Sequence, residues 1–317
     1  MFAVAAASRA FGRLVVDQLL AWWSADEVVV AVRAPDRVAD LDARGVEVRR
    51  GDYDVPDTLR AAFENVDRLL LISSPERDSA RRTRQHRGAI EAARDAGVGA
   101  VVYTSFLDAD TQAEGITEAH HATERALEAS GLPHTVLRHP FYSEAFLNSV
   151  LHTAVATGAL DDLTGGRGIN TASRADLAEA AARVLTEDGH LGRAYDFTGT
   201  LWSYPQLARV LTRVSGTPVL HQVRDSLTPG ALGWLEAQVR GGALERQTDD
   251  LHNVLGHPPP PPWIRPSPKS SPVQHHRAGL PVAPVRQERQ PQQLFSALSA
   301  EAARARPPRS HHGMHRP

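Results

Sequence analysis

The sequence predicts an α/β protein in which helices cover both faces of a doubly wound parallel sheet. From residue 1 to about residue 138, short apolar runs rich in Val, Ile and Leu alternate with helical stretches that have one apolar face. This alternation is typical of parallel sheets covered by helices. The helical stretch before the fifth run ends at Gly97, a glycine stop ahead of a new strand. Because parallel strands are joined by right-handed crossovers, we expect a Rossmann-type fold.

Six strands are predicted in this first region, and each is a short apolar run. Their bounds are Phe2–Ala6, Glu27–Val32, Val46–Arg50, Asp67–Ile72, Ala100–Thr104 and Thr135–Leu137. Between the first two strands, Phe11, Val15 and Leu19 recur at helical spacing, followed by Trp22, so the connecting helix has one buried face. We therefore expect residues 1–138 to form a Rossmann core.

The next segment, residues 139–257, has a looser pattern. The predicted elements are a helix at Ser143–Thr157, a turn at Gly165–Gly168, a helix at Asp176–Thr186, a strand at Ala194–Thr198 and a helix at Tyr204–Ser215. This segment is too small and too interleaved with the core to fold alone. We expect it to form a substrate-side lobe at the carboxyl ends of the strands.

The composition changes sharply after His257. The segment 258–317 contains 14 of the 22 prolines, and its nine basic and two acidic residues give it a charge of about +7 in a chain of net charge -2. A stretch with so few apolar residues buries too little surface to offset the entropy of ordering. We expect a disordered tail, with one short helix at Gln293–Arg306.

Composition also excludes several classes of function. The first 257 residues are acidic and carry no basic stripe, so we expect no nucleic-acid partner. There is no cysteine, which removes disulfides and thiolate nucleophiles. The apolar stretch at the first residues is too short for a signal peptide or a membrane span. A cytoplasmic protein that acts on small molecules, without contact to a membrane, is the expectation.

The segment between the first strand and the first helix is where a dinucleotide site has its glycines. One glycine makes the tight turn, one lets the backbone approach the pyrophosphate, and one allows close packing of the helix. This chain reads Ala5-Ala6-Ala7-Ser8-Arg9-Ala10-Phe11-Gly12, so only Gly12 is a glycine. The cofactor-binding candidates here are Ala6, Ser8, Arg9, Ala10, Phe11 and Gly12.

The ends of the later strands add further candidates for cofactor binding. Arg33 follows the second strand, about 20 residues beyond Gly12, where NAD enzymes usually place an acidic residue on the ribose. Either Arg33, with Arg37 one turn later, pairs with the 2′-phosphate of NADPH, or it is a solvated arginine at a strand end. Asp52 and Tyr53 follow the third strand and border an adenine in this interpretation, and Ser73 ends the fourth.

Catalytic candidates come from exclusion. A Tyr-x-x-x-Lys pair is ruled out because the only lysine is Lys269, in the tail. Hydride transfer to a quinone-like acceptor needs less help, because the cofactor carries the difficult chemistry and the protein stacks donor against acceptor. Phe141 and Tyr142 are either the flat walls of such a site or ordinary core residues.

Three polar residues near the predicted strand ends are further candidates. His120 is either a proton donor that faces the substrate or a structural histidine. His120 shares a helix face with Glu124, but no third ligand can be placed, so no metal site is predicted. Thr104 and Ser105 close the fifth strand and either lie near a nicotinamide or cap the following turn.

Taken together, these residues resemble a known family. The chain contains Val30-x-Val-Arg33-x-Pro35, Gly51-Asp52-Tyr53, Ser73-Ser74, Gln85-His86-Arg87, Tyr103-Thr104-Ser105, His120-x-x-Thr123-Glu124, Leu137-Arg138-x-x-x-Tyr142-Ser143-Glu144 and Leu255-Gly256-His257-Pro258. In this order and spacing the blocks closely resemble the NmrA-like atypical short-chain dehydrogenase/reductase family, nearest to its NAD(P)H:quinone oxidoreductases of type 2. The similarity covers residues 1 to about 258.

The resemblance implies NADPH as cofactor, with NADH as the alternative, and Arg33 as the family's arginine. It also implies a quinone or similar small acceptor beside Phe141 and Tyr142, and a homodimer. The chain departs from the family at Ala6 and Arg9, where the family has glycines. A non-glycine residue forced to positive φ costs on the order of 1 kcal/mol, so weaker cofactor binding is expected.

These observations leave three functions open. The leading hypothesis is an NADPH-dependent reductase of quinone-like acceptors. The second is a non-catalytic dinucleotide sensor like the NmrA regulators. The third is a degenerate paralogue in which cofactor binding is weakened.

Overall fold

The computed structural model describes residues 1–223 and 231–264. Most of the predicted tail, including the helix at Gln293–Arg306, lies outside the described residues. No helix in the described ranges is both long enough and apolar enough to cross a membrane.

A seven-stranded parallel sheet forms the centre of the molecule. Its strands are β1 (Phe2–Ala5), β2 (Val28–Val32), β3 (Glu47–Arg50), β4 (Arg68–Leu71), β5 (Ala100–Phe106), β6 (His134–His139) and β10 (Ala194–Asp196), in the order β10-β6-β5-β4-β1-β2-β3. The order reverses between β1 and β4, which is the switch point where ligands bind in doubly wound sheets. The predicted fold class is confirmed.

Helices cover both faces of this sheet, as an all-parallel sheet requires. On one face lie α1 (Ala10–Trp22), α2 (Ala39–Asp42), α8 (Arg174–Thr186) and α11 (Asp250–Leu255); on the other lie α3 (Pro56–Ala62), α4 (Ser79–Asp95) and α5 (Glu118–Ser130). The apolar stripe of α1 is buried as expected, with Val15 and Leu19 fully inaccessible to solvent. Each face therefore has its own apolar core.

A smaller lobe follows β6 in the chain. It contains β7 (Phe141–Tyr142), α6 (Ser143–Phe146), α7 (Val150–Thr157), β8 (Ala159–Asp162), β9 (Ile169–Ala172), β11 (Leu201–Trp202), α9 (Tyr204–Ser215), β12 (Leu220–Val223) and α10 (Ala231–Arg240). Two small sheets, β11-β9-β7 and β12-β8, pack with these helices around Trp202 and Leu207.

The structure adds two details to the predicted lobe. The helix predicted at Ser143–Thr157 is broken into α6 and α7, because the Asn148 side chain donates to the Ala145 carbonyl at 2.8 Å and competes with the backbone. The chain also returns to the core within this segment, since β10 pairs with β6 and α8 packs on α1. Residues 174–196 therefore belong structurally to the Rossmann core.

The boundary of the predicted tail also moves. Thr200 donates to the Pro259 carbonyl at 2.7 Å, and the Trp263 ring meets the Trp202 ring edge-on at 6.2 Å. Trp202 is fully buried. The segment 258–264, predicted to be the start of a disordered tail, thus packs on the lobe.

Candidate functional site

A cleft of about 310 Å³ opens at the carboxyl ends of β1, β2, β3 and β4. Five of the predicted cofactor residues line it: Ala6, Ser8, Arg9, Arg33 and Asp52. They come from three separate strand ends, and the parallel sheet brings these ends to one edge. The cleft lies at the switch point in the strand order, the expected place for a ligand in this architecture.

The loop after β1 forms one end of the cleft, and Ala6 is its strained residue. Ala6 has φ of 58°, in the left-handed region that favours glycine. Arg9 has φ of -101° and ψ of 164°, which is ordinary extended backbone. The sequence-based expectation of strain at both positions is therefore correct for Ala6 and wrong for Arg9.

Gly12 has the packing role expected of the third glycine. A Cβ atom at Gly12 would lie 2.7 Å from the Ala7 Cα atom and 3.2 Å from the Ala6 carbonyl oxygen. No ordinary Cβ contact is that short, so a larger residue would push α1 away from the loop. The N-terminus of α1 therefore stays close to the floor of the cleft.

The first turn of α1 is open to an anion. Its N-cap residue, Arg9, makes no side-chain capping bond, and there is no acidic residue in the first turn. Uncapped amides at a helix N-terminus bind phosphate groups. Ala10 and Phe11 begin this helix, but the Phe11 side chain turns inward and is 6% exposed.

The other end of the cleft combines basic and acidic side chains. Arg81 pairs with Asp54 at 2.9 Å and with Glu76 at 3.3 Å, and the hydrogen bond from Arg81 lowers the pKa of Asp54. In contrast, three other arginines that line the cleft form no ion pair with any carboxylate of residues 1–223 and 231–264: Arg9, Arg33 and Arg77. Three guanidinium groups on the cleft wall are thus left for a ligand.

The Asp52-Tyr53 pair is partly used by the protein itself. The Asp52 amide donates to the Thr58 hydroxyl at 2.9 Å, and an Asp52 carboxylate oxygen accepts from the Asp54 amide at 3.1 Å. The Tyr53 hydroxyl donates to the Ile72 carbonyl at 2.7 Å, and burial raises its pKa. Both residues line the cleft, but the Tyr53 hydroxyl is committed to the fold.

Ser73, Thr104 and Ser105 lie at adjacent strand ends but do not line this cleft. The Ser73 amide donates to the Thr104 hydroxyl at 2.9 Å. The Ser105 hydroxyl donates to Glu124. Thr104 and Ser105 are both buried. In this structure the hydroxyls of Thr104 and Ser105 therefore tie β5 to its neighbours.

Behind these strand ends lies His86, which the sequence presents only within the family block Gln85-His86-Arg87. His86 Nε2 accepts the Ser74 amide at 2.8 Å, so Nδ1 carries the proton and donates to the Thr123 hydroxyl at the same distance. Burial lowers the pKa of His86 to about 3, so the ring stays neutral. It holds the loop after β4 against α5.

Of the two aromatic residues that follow β6, Phe141 lines a second, smaller cavity and Tyr142 lines neither cavity. This cavity of about 20 Å³ is lined by Phe106 and Phe141, among others. The Phe141 ring meets the Phe106 ring edge-on at 5.0 Å. Tyr142 stacks on Phe11 at 6.1 Å, and burial raises its pKa to about 12, so it keeps its proton at neutral pH.

His120 is not placed to give a proton to a substrate. It is 4% exposed, and its Nε2 atom lies 2.8 Å from Nη2 of Arg82. An arginine can only donate, so Nε2 accepts and Nδ1–H donates to the Tyr103 hydroxyl oxygen at 3.0 Å. Burial lowers the pKa of His120 well below its usual value. Both ring nitrogens are used within the protein.

Arg82 is the residue at this site that the sequence did not reveal. It stands in a run of basic residues at the start of α4, a pattern typical of a solvated helix face. In the structure it is half-buried and bonds to Ser73 and His120. No group of three potential metal ligands occurs in the described part of the chain.

Comparisons with known proteins agree with this geometry. A family model described as NAD(P)H-binding matches residues 6–188. Quinone oxidoreductase 2 of Escherichia coli is 40% identical over 223 residues, which are 70% of this chain and 77% of that protein.

Two solved structures share the fold and much of the sequence. One is the Citrobacter sp. triphenylmethane reductase complexed with NADP(H), with a TM-score of 0.77 and 33% identity over 82% of this chain and 96% of that one. The other is the NADPH complex of the E. coli quinone oxidoreductase QOR2, with a TM-score of 0.76 and 35% identity over 83% and 97%. These matches confirm the family resemblance inferred from the sequence.

Proposed function

The chain belongs to the NAD(P)H-binding family, and from this membership we propose that it transfers a hydride from NADPH to a quinone or a similar small, flat acceptor. It is an NAD(P)H-dependent oxidoreductase related to quinone oxidoreductases. The preference for NADPH and the nature of the acceptor are the proposed parts. A homodimer and a cytoplasmic location stay predictions.

One observation carries the preference for NADPH. Arg9 and Arg33 line the same cleft from the ends of two different strands, and neither forms an ion pair with a carboxylate of residues 1–223 and 231–264. NADPH has two separate anionic groups, the pyrophosphate and the 2′-phosphate. Arg9, with the open N-terminus of α1, suits the first group, and Arg33 suits the second. NADH has no 2′-phosphate to pair with Arg33.

The residues present therefore fit the cofactor. Ala6, Ser8 and the first turn of α1 would hold the pyrophosphate, Arg33 the 2′-phosphate, and the loop with Asp52 the adenine side. When bound, NADPH supplies the hydride. The acceptor would then lie beside the Phe141 and Tyr142 rings, which follow β6 and do not line the cofactor cleft.

The decisive measurement compares NADPH and NADH affinity in the wild type and in Arg33→Asp. The variant places a carboxylate where the 2′-phosphate would lie, so we expect NADPH binding to weaken at least tenfold and NADH binding to change little. Arg84→Asp is the control matched in charge, because Arg84 is an exposed arginine on α4 that does not line the cleft. An unchanged NADPH/NADH ratio in Arg33→Asp removes Arg33 from the site.

Steady-state assays then separate the functions. NADPH oxidation that depends on an added quinone supports the reductase. Tight NADPH binding without oxidation by any of several quinones supports the dinucleotide sensor. No binding of NADPH at millimolar concentration contradicts both and leaves the degenerate paralogue.

A further inference from the structure

Arg82 has an unusual set of neighbours for a half-buried cation. Its Nε and Nη2 atoms donate to the Ser73 hydroxyl at 3.2 and 2.6 Å, and Nη2 also donates to His120 Nε2 at 2.8 Å. It forms no ion pair with a carboxylate anywhere in residues 1–223 and 231–264. Its guanidinium is therefore held by neutral groups alone.

This arrangement is costly for the fold. A charged group removed from water is normally paired with an opposite charge. Arg82 also lies in the first turn of α4, where the helix dipole is unfavourable for a cation. Burial lowers its pKa, which reports the same cost. A cation that the fold does not need at this place is a candidate for a functional role.

The position of Arg82 lies between the two halves of the proposed site. On one side, it bonds to Ser73, whose neighbour Ser74 lines the cofactor cleft. On the other side, it bonds to His120, whose ring lies 6.1 Å from that of Phe106, the residue that packs on Phe141. Its charge also acts on Tyr142.

The orientation of the guanidinium is set by a chain of neutral groups. The Tyr103 hydroxyl accepts from His120 Nδ1, so His120 Nε2 must accept from Arg82. Tyr103 is fully buried on β5, which makes this chain part of the core. Nη2 and Nε are held by these contacts, while no hydrogen bond within the described residues involves Nη1.

The reaction proposed above develops a negative charge. When a neutral quinone takes up a hydride from NADPH, the cofactor becomes NADP⁺ and the quinone gains one new bond to hydrogen. The quinone also gains the electron pair of the hydride, so one of its oxygens becomes an anion. Water then supplies the proton that gives the hydroquinone. Lys269, the one lysine of the chain, lies in the tail, and His120 has no free proton. A guanidinium can stabilise this charge, and two lie near the aromatic residues: Arg174, 5.0 Å over the Tyr142 ring, and Arg82, whose Nη1 atom makes no hydrogen bond within the described residues.

We propose that Arg82 is a catalytic residue that donates through Nη1 to the acceptor oxygen and stabilises the negative charge formed there. The inference rests on the proposed function and deepens it, because it defines the acceptor class. The enzyme favours neutral acceptors that become anionic on taking up a hydride. It disfavours cationic acceptors, which become neutral and gain nothing from a guanidinium.

The test uses two acceptors of opposite charge behaviour, menadione and the cationic dye malachite green, with the variant Arg82→Gln. Loss of one donor to a developing oxyanion typically costs about 100-fold or more in kcat. We expect this loss with menadione, and a change of less than about 3-fold, or an increase, with malachite green. Arg84→Gln, an exposed arginine on the same helix, is the control and leaves both rates unchanged. Equal losses with both acceptors overturn the proposal.

A binding measurement keeps the proposal testable without turnover. In the protein saturated with NADP⁺, 4-nitrophenol serves as an analogue of the hydroquinone anion, and its absorbance reports its ionisation. We expect the bound phenol to ionise at a pH at least one unit lower than the free phenol in wild type and in Arg84→Gln, and this shift to vanish in Arg82→Gln. Absence of any shift in the wild type contradicts the role of Arg82.

These readouts separate the two levels of the argument. If menadione and malachite green are both inert with wild type while the phenol shift depends on Arg82, the proposed function fails and the anion site stands. If quinone reduction is normal in Arg82→Gln, the function stands and the inference fails. If Arg82→Gln instead weakens NADPH binding more than about 3-fold, Arg82 serves the cofactor and the inference also fails.

Discussion

Ala6 and Arg9 both stand in the loop between β1 and α1, yet they differ physically. Ala6 is at φ of 58°, where a Cβ atom crowds the following carbonyl at a cost of about 1 kcal/mol. Arg9 is extended and exposed, so its side chain costs the backbone nothing and brings a positive charge to the N-terminus of α1. The two side chains therefore have opposite consequences for a bound phosphate.

We predict that Ala6→Gly tightens NADPH binding about tenfold, which corresponds to about 1.4 kcal/mol. The substitution removes the Cβ atom from the cleft wall and relieves the left-handed backbone. Ala39→Gly is the matched control: Ala39 begins α2 and does not line the cleft, so glycine there costs about 0.5–1 kcal/mol of stability without improving binding. Isothermal titration with NADPH and thermal unfolding check both. Tightening in Ala39→Gly alone would contradict the assignment of strain to Ala6.

At the scale of elements, short segments decide where the lobe begins and ends. A continuous helix fails between α6 and α7 because Asn148 bonds back to the Ala145 carbonyl. The segment 258–264 is proline-rich and has no helix or strand, yet it places Trp263 against Trp202. Local composition does not predict the contact between Trp263 and Trp202, because the two residues are about 60 positions apart in the sequence.

Two truncations test the role of the segment 258–264. Removal of residues 265–317 is expected to leave the melting temperature nearly unchanged, since the contacts of the lobe with Pro259 and Trp263 remain. Removal of residues 258–317 exposes the Trp202 ring and frees the Thr200 hydroxyl, at a cost of about 2 kcal/mol. Differential scanning calorimetry of both proteins measures the difference. Equal melting temperatures would show that the Trp263 contact contributes nothing.

At the scale of the whole molecule, three neutral histidines are buried under the carboxyl edge of the sheet. They are His86, His120 and His139. Burial lowers the pKa of His86 and of His139 to about 3. His139 stacks on Phe197 at 5.9 Å, and its Nε2 atom has no hydrogen-bond partner among the described residues. Folding therefore depends on these rings staying uncharged.

This burial predicts acid sensitivity. The unfolded chain binds protons on these histidines below about pH 6.5, whereas the folded chain does so only near pH 3. The unfolded state thus takes up more protons between these values, and stability falls as the pH is lowered through this window. At pH 5 the loss is about 2 kcal/mol for each of His86 and His139.

His139→Phe isolates one of these contributions. Phenylalanine keeps the ring contacts with Phe11 and Phe197 but does not titrate. Urea denaturation near pH 7.5 and pH 5 measures how much unfolding free energy each protein loses between these pH values. We expect this loss to be smaller in His139→Phe than in wild type by about 2 kcal/mol. His252→Phe, at an exposed histidine, is the control and should keep the wild-type pH dependence. An unchanged pH dependence in His139→Phe would contradict a neutral buried ring.

The sequence alone was sufficient to predict the succession of core strands and helices along the chain, to distinguish the tail by its composition and to recognise the family blocks. These features are local: β-branched runs, helical spacing and glycine stops are written in neighbouring residues. The cleft candidates Arg9, Arg33 and Asp52 also followed from local reasoning. Each stands within four residues of the end of a strand, and parallel strands place their carboxyl ends at one edge.

Only the tertiary structure decided which of these residues are free for a ligand. Arg81 and Arg33 look alike in the sequence, but Arg81 pairs with Asp54 and Glu76 while Arg33 has no such partner in the described ranges. The sequence left His120 open between a proton donor and a structural histidine, and in the structure its two ring nitrogens bond to Tyr103 and Arg82. Availability depends on partners distant in the chain, and burial and hydrogen bonding between such residues are set by packing, which no local pattern records.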